Sequence, residues 1–94
     1  MSGKVVNLTR GLYDERIDRL TAWGNPFAIG RDGTRDEVIE RYRTWVTTSD
    51  DRGAQWIRDN VHTLYGKTLG CWCAPSACHG DVLLELAAEK VSKL

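Results

Sequence analysis

The sequence has no surplus of either charge: thirteen basic side chains meet thirteen acidic ones across 94 residues. Binders of nucleic acid or of anionic membranes draw on a positive excess, so neither class has support in the composition. Dividing the chain changes nothing, because residues 1–47 carry eight basic and seven acidic groups and residues 48–94 five and six. Long apolar runs are missing as well. Nothing approaches the ~20 residues that span a bilayer, and the opening stretch Met1 to Leu8 lacks the apolar core of a signal peptide. Cysteine is scarce and odd in number: three in all, between positions 71 and 78. A secreted disulfide framework spreads an even number along the chain. The expectation is a cytoplasmic protein whose thiols are reduced or metal-bound.

What is present suffices for one small core, read as a single domain over residues 1–94. A chain of this length buries roughly 60–65% of its unfolded surface, close to the margin of independent stability. Val5 to Leu8 reads as a first strand ending before Gly11. Leu12 to Thr21 shows no continuous apolar face and reads as loop or one short helix. Pro26 fixes its own backbone and moves Asn25 out of the helical region. Phe27 to Gly30 reads as a short strand, and Arg31-Asp32-Gly33 as a turn.

Thr34 with Glu37 forms a capping-box pattern. Behind it Val38, Ile39, Tyr42, Trp45 and Val46 share one helical face. A polar break over Thr47 to Gly53 precedes a second helix with Ile57, Val61, Leu64 and Tyr65 on one side and Gly66 as its stop. Thr68 to Cys73 reads as a buried strand. A third helix starts near Asp81, its expected cap, and buries Val82, Leu83, Leu86, Ala87 and Val91. The order implies an α/β or α+β domain: a two- to four-stranded sheet packed with about three helices.

One constellation carries chemistry. Cys71 and Cys73 are separated by one residue, and after four more come Cys78, His79 and Asp81. Residues two apart on a strand face one side, so Cys71 and Cys73 can present their sulfurs together. Cys78 and His79 return just before a helix, where amides and the dipole favour a thiolate. Three thiols and an imidazole make a tetrahedral zinc set of Cys71, Cys73, Cys78 and His79. The spacing is tighter than in zinc fingers, and three cysteines alone would suit an iron–sulfur cluster with one open iron. Without metal, Cys78 is a candidate nucleophile with His79 as base and Asp81 orienting the imidazole.

Asn25, Asp32 and Arg35 form a second point of interest. A glycine turn opening a capped helix offers free amides, and arginine adds forked donors for carboxylate or phosphate. Arginine outnumbers lysine nine to four, and seven of the nine lie before residue 48. That bias suits specific anion contacts better than a basic surface. Among the four tryptophans, Trp45 is expected in the core, Trp72 across the strand from the thiols and also in the core, and Trp56 off its helix face. Trp23, beside Gly24-Asn25-Pro26, is the one expected to stack on a planar ligand. His62, beside the apolar stripe of the second helix, reads as an ordinary packed or surface histidine, and Glu40, Arg41 and Arg43 as the solvated side of the first helix.

Trp23 to Phe27, Ile29 to Arg43, Gly70 to Pro75 and Cys78 to Asp81 together resemble the bacterial and phage family known as domain of unknown function 4326. The likeness covers most of residues 5–90. In the stretch Arg16-Ile17-Asp18-Arg19 the chain departs from the Ile-Gly-Arg-like segment such proteins more often carry, so no ligand contact is assigned there. The resemblance implies a small cytoplasmic protein, often phage-borne, whose two motif blocks meet at one site; it supplies no reaction. The leading expectation is a zinc-type or catalytic-thiol centre beside a polar pocket for a polar or phosphorylated, nucleotide-like small molecule. The rival is a non-enzymatic module, such as a phage factor acting on a host protein, whose Cys/His cluster only staples the fold.

Overall fold

Three parallel strands with the last in the middle organise the chain. The structure, a computed structural model, describes residues 3–74 and 76–93; Met1, Ser2, Leu94 and Pro75 of the second motif lie outside the described residues. Strands β1 (Lys4–Asn7) and β2 (Glu15–Arg16) each pair in parallel with β3 (Thr68–Cys71), giving the order β1-β3-β2. Val5 and Glu15 both lie opposite Leu69, from either side. Helices α1 (Arg35–Thr48), α2 (Arg52–Asn60) and α3 (His79–Ser92) complete the fold, with a 3-10 turn at Val61–Leu64.

Strand β2 replaces the expected loop or short helix. It is only two residues long, so no alternation of side chains announces it. Backbone bonds from Asp14 N to the Thr68 carbonyl (2.8 Å) and from Ile17 N to the Gly70 carbonyl (3.0 Å) carry its ladder instead.

Because β1 and β2 run the same way, residues 8–14 must travel back along the sheet between them. They do so over Gly70. A Cβ there would lie 2.5 Å from Leu8 Cδ2 and 2.9 Å from Tyr13 Cγ. The missing side chain is what lets the return segment cross this face. Gly70→Ala is therefore expected to cost about 1–3 kcal/mol through overpacking, read as a lower urea midpoint with an unchanged m-value.

The opposite face carries the core. Leu69 and Cys71 point into a cluster with Ile17, Tyr42, Val82 and Leu83, and α3 packs against β1, α1 and the 3-10 turn. In α1 the capping box forms as the sequence implied: Glu37 N donates to Thr34 Oγ1 and Thr34 N to Glu37 Oε1. Val38, Tyr42 and Val46 are buried, with Ile39 and Trp45 packed beside them.

Other expectations shift. Phe27 to Gly30 is not a strand: Ala28 N donates to Asp32 Oδ2 and Gly30 N to the Gly33 carbonyl, so the chain turns there. The second helix stops at Asn60 and tightens into the 3-10 turn before Gly66, whose φ of +76° suits its role as terminator. Strand β3 ends at Cys71, two residues early.

A candidate metal centre at the carboxyl end of the sheet

The cap of α3 is Cys78, not Asp81. The Cys78 sulfur accepts from Gly80 N at 3.3 Å, and Cys78 N donates to Asp81 Oδ2 at 3.2 Å, so cysteine takes the place serine usually holds in a capping box. Asp81 spends its carboxylate on that backbone amide, and the imidazole of His79 is held by a different group. His79 Nε2 lies 2.6 Å from the Ile17 carbonyl, just beyond the end of β2. A carbonyl only accepts, so Nε2 carries the proton and Nδ1 keeps the lone pair. The Tyr42 ring packs edge-on against the imidazole at 5.2 Å and closes the inner side.

Close approach of α3 to the sheet depends on Gly80. A Cβ there would fall within 2.8 Å of Ile17 Cδ1 and Val5 Cγ2. This brings Cys78 and His79 to the carboxyl end of β3, where Cys71 ends the central strand. One donor atom each from Cys71, Cys78 and His79 lies within 4.8 Å of the others, and all three residues are buried. They form the one such group found among the described residues. In open parallel sheets, ligands bind outside the carboxyl ends of the strands, and this group sits there.

Cys73 stands apart from the three. It is half-buried beyond the strand end. The two buried sulfurs, of Cys71 and Cys78, shift each other in opposite directions. The neighbouring Cys78 thiol, with Cys73 assisting, brings the Cys71 thiol down to about 5 against the effect of burial. The neighbouring Cys71 sulfur and burial push the Cys78 thiol up. Two soft sulfurs and an imidazole are a donor set for zinc-like ions. An iron–sulfur cluster uses three thiolates, whereas this group offers two and a nitrogen.

A cavity of about 300 Å³ opens over the group, with Cys71, Cys78 and His79 all among its lining residues. Its other walls come from both motif blocks and from the stretch after β2. Asn25 is buried and lines it, its amide spanning Phe27 N and the Val38 carbonyl. Arg35, the first residue of α1, also lines it and donates to the Ala77 carbonyl at 3.1 Å, tying the first block to the cysteine loop. Asp32 does not reach the cavity; it accepts from Ala28 N and pairs with Arg31, holding the turn.

Two tryptophans exchange their expected places. Trp23 is 4% exposed, packed on Trp56 at 4.7 Å, and sits in the core rather than at an open stacking surface. Trp72 is 55% exposed and lines the cavity. β3 ends before it, so strand alternation no longer dictates its direction.

Asp18 and Arg19, in the stretch to which the sequence assigned no contact, are cavity residues. Asp18 is buried, accepts two bonds from Arg16 at 2.8 and 3.0 Å, and accepts the Trp72 indole N–H at 3.1 Å. Only the pairing of Arg16 with Asp18 two residues on marks this in the sequence, and that pattern is common on surfaces. The Arg16 guanidinium holds the Asp18 carboxyl below its usual range against the effect of burial, with Trp72 assisting. A depressed carboxyl contributes stability above its unfolded value of about 3.9, lost as pH falls through the folded value. Between about pH 5 and pH 2, wild-type protein should lose more of its denaturation midpoint than Asp18→Asn, as followed by urea titration.

Residues 6–89 match the family described as Domain of unknown function (DUF4326). The chain belongs to that family. Both motif blocks and the cavity residues fall inside the matched span. Among curated relatives of this DUF4326 chain, an "Uncharacterized 12.4 kDa protein in nrdA-td intergenic region" of Enterobacteria phage T4 is 33% identical over 84 residues, covering 88% of this chain and 75% of the relative. "Uncharacterized protein R718" of Acanthamoeba polyphaga mimivirus is 33% identical over 72 residues, 68% of this chain and 51% of that protein. The chain thus spans about half the length of the mimiviral relative. No solved structure matches the chain. No helix among the described residues is long and apolar enough to cross a membrane.

Proposed function

We propose that this DUF4326 chain holds a zinc ion through Cys71, Cys78 and His79, with the fourth coordination position open to the cavity for a polar small molecule. The observation that carries this reading is the convergence of two sulfurs and one imidazole nitrogen within 4.8 Å at the end of the central strand. Three protein ligands with one open position are the mark of working zinc sites, whereas structural sites are closed by four. His79 has the support such ligands need: its second nitrogen donates to the Ile17 carbonyl, which fixes the ring and leaves Nδ1 for the metal. A zinc ion held by these three residues would supply Lewis-acid polarisation of an oxygen on a bound molecule. The chain's own part is to hold that molecule and exclude water around it.

The core also bears on the choice between a working and a stapling metal. Ile17, Leu69, Val82, Leu83 and Tyr42 form an apolar core beside the group, which favours a working metal over one that only staples the fold. The test is metal analysis of protein purified without added zinc, then cobalt(II) replacement. The reading expects about one metal per chain and a cobalt spectrum with thiolate charge transfer from two sulfurs. Absence of metal, or a spectrum indicating four thiolate and imidazole ligands, would sink it. Chelation should leave the far-ultraviolet circular dichroism native-like; complete unfolding would favour the stapling role.

A further inference from the structure

Two guanidinium groups stand at the cavity without a carboxylate on them. Arg19 Nη2 donates to the Phe27 carbonyl and Arg35 Nη1 to the Ala77 carbonyl, both at 3.1 Å. Among the described residues neither forms an ion pair. Each carbonyl orients a long side chain while using one of five N–H donors, so most of the fork stays available. The one carboxylate in the lining, Asp18, is already matched by Arg16. Outside the sulfur group, the unmatched charge of the cavity is therefore positive. It comes from arginine, whose planar fork fits phosphate oxygens in pairs.

The remaining walls are apolar and partly open. Trp72 is 55% exposed, and its indole N–H is tied to Asp18, so its ring is held in place rather than free to turn. Leu20 and Ile29, both cavity residues, are 84% and 51% exposed. Apolar side chains gathered in solvent around a concave site mark a place where something apolar is bound. At about 300 Å³ the cavity lies at the lower end of the roughly 300–1,000 Å³ of small-molecule sites.

We infer that the ligand is a nucleoside monophosphate, its base against Trp72 and its phosphate on Arg19 and Arg35. The inference rests on the reading of the cavity as the working face of the Cys71–Cys78–His79 centre, and it names the class of molecule that face receives.

The four ribonucleoside 5′-monophosphates, their parent nucleosides, ribose 5-phosphate and inorganic phosphate are titrated into the protein, with thermal shift and tryptophan fluorescence as readouts. At least one monophosphate should bind tenfold or more tightly than its nucleoside and than ribose 5-phosphate, and weaken as salt rises. Arg35→Ala should lower that affinity at least tenfold while leaving nucleoside binding unchanged. Arg19→Ala, at an exposed position, should do the same if Arg35→Ala fails to fold. Trp72→Leu should weaken every probe with a base and spare ribose 5-phosphate. Equal affinity for nucleotide and nucleoside overturns the inference, as does indifference to both arginine changes. Metal content of the same samples separates the two readings. Metal-loaded protein that ignores all monophosphates overturns the ligand class alone, whereas arginine-dependent nucleotide binding by metal-free protein upholds it and overturns the metal.

Discussion

Cys71→Ser is expected to take the protein from about one bound zinc per chain to none, while it stays folded. Serine is nearly the same size as cysteine but presents a hydroxyl that does not ionise near neutral pH, and zinc sites are built from thiolate, imidazole and carboxylate. The position itself is secure. Cys71 ends β3, pairs with Asn7 across the ladder, and its carbonyl accepts from Leu8 N. Losing one of three ligands should weaken binding by more than the 10–100-fold typical of changes to groups behind the ligands.

The thermal consequence follows from mass action. At free zinc about 1,000 times Kd, bound metal adds about 4.1 kcal/mol, and for a chain of this size each kcal/mol moves Tm by about 4–8 °C. Wild-type Tm should therefore fall steeply on chelation, and that of Cys71→Ser should not respond. Cys73→Ser is the companion measurement. Cys73 lies outside the group of three, so this variant should keep its metal and its response to chelation. Loss of metal from Cys73→Ser would mean a closed, four-ligand site and would remove the open position from the argument.

The sequence made the site's ingredients legible and left their arrangement to the fold. Cys71, Cys78 and His79 stand out because three cysteines and a histidine in nine residues do not arise from core-forming composition. Helix α1 was equally readable, since its capping box and its apolar stripe both follow from local rules. What escaped was set by long-range contact. β2 exists only as partner to β3, through bonds to Thr68 and Gly70 more than fifty residues away. No periodicity in two residues can express that. Asp18, Ile17 and Arg19 became site residues for the same reason: the parallel pairing carries the end of β2 to the end of β3. The cap of α3 was missed through a chemical prior. Aspartate is a common cap and cysteine a rare one, yet Cys78 takes the position, its sulfur accepting from Gly80 N while Asp81 accepts from the Cys78 amide.

The two misplaced tryptophans yield the other large effect. Trp23→Ala is expected to cost about 3–5 kcal/mol, the range for deleting a buried aromatic ring, a large share of the roughly 5–15 kcal/mol that holds a small domain together. The ring packs on Trp56 at 4.7 Å and its Nε1 donates to Glu15, while the Trp23 carbonyl accepts the Tyr42 hydroxyl at 2.7 Å. Removing it opens a cavity beside that buried bond, at the junction of β2 with α1 and α2. Trp72→Ala removes a half-exposed ring and one bond to Asp18, a net loss of about 1 kcal/mol. Urea denaturation of the two variants should therefore separate them by at least 2 kcal/mol, with Trp23→Ala the weaker, and nucleotide titration should order them the other way. Trp23→Ala that remains stable would mean its ring is dispensable to the core and free to serve a ligand, as its place beside Asn25 first suggested. Trp72→Ala that unfolds would make Trp72 an anchor of the β3 end rather than a wall of the cavity. Because Trp23 is buried in the core and Trp72 is half-exposed at the cavity, this pair of measurements separates the stability of the fold from the chemistry built on it.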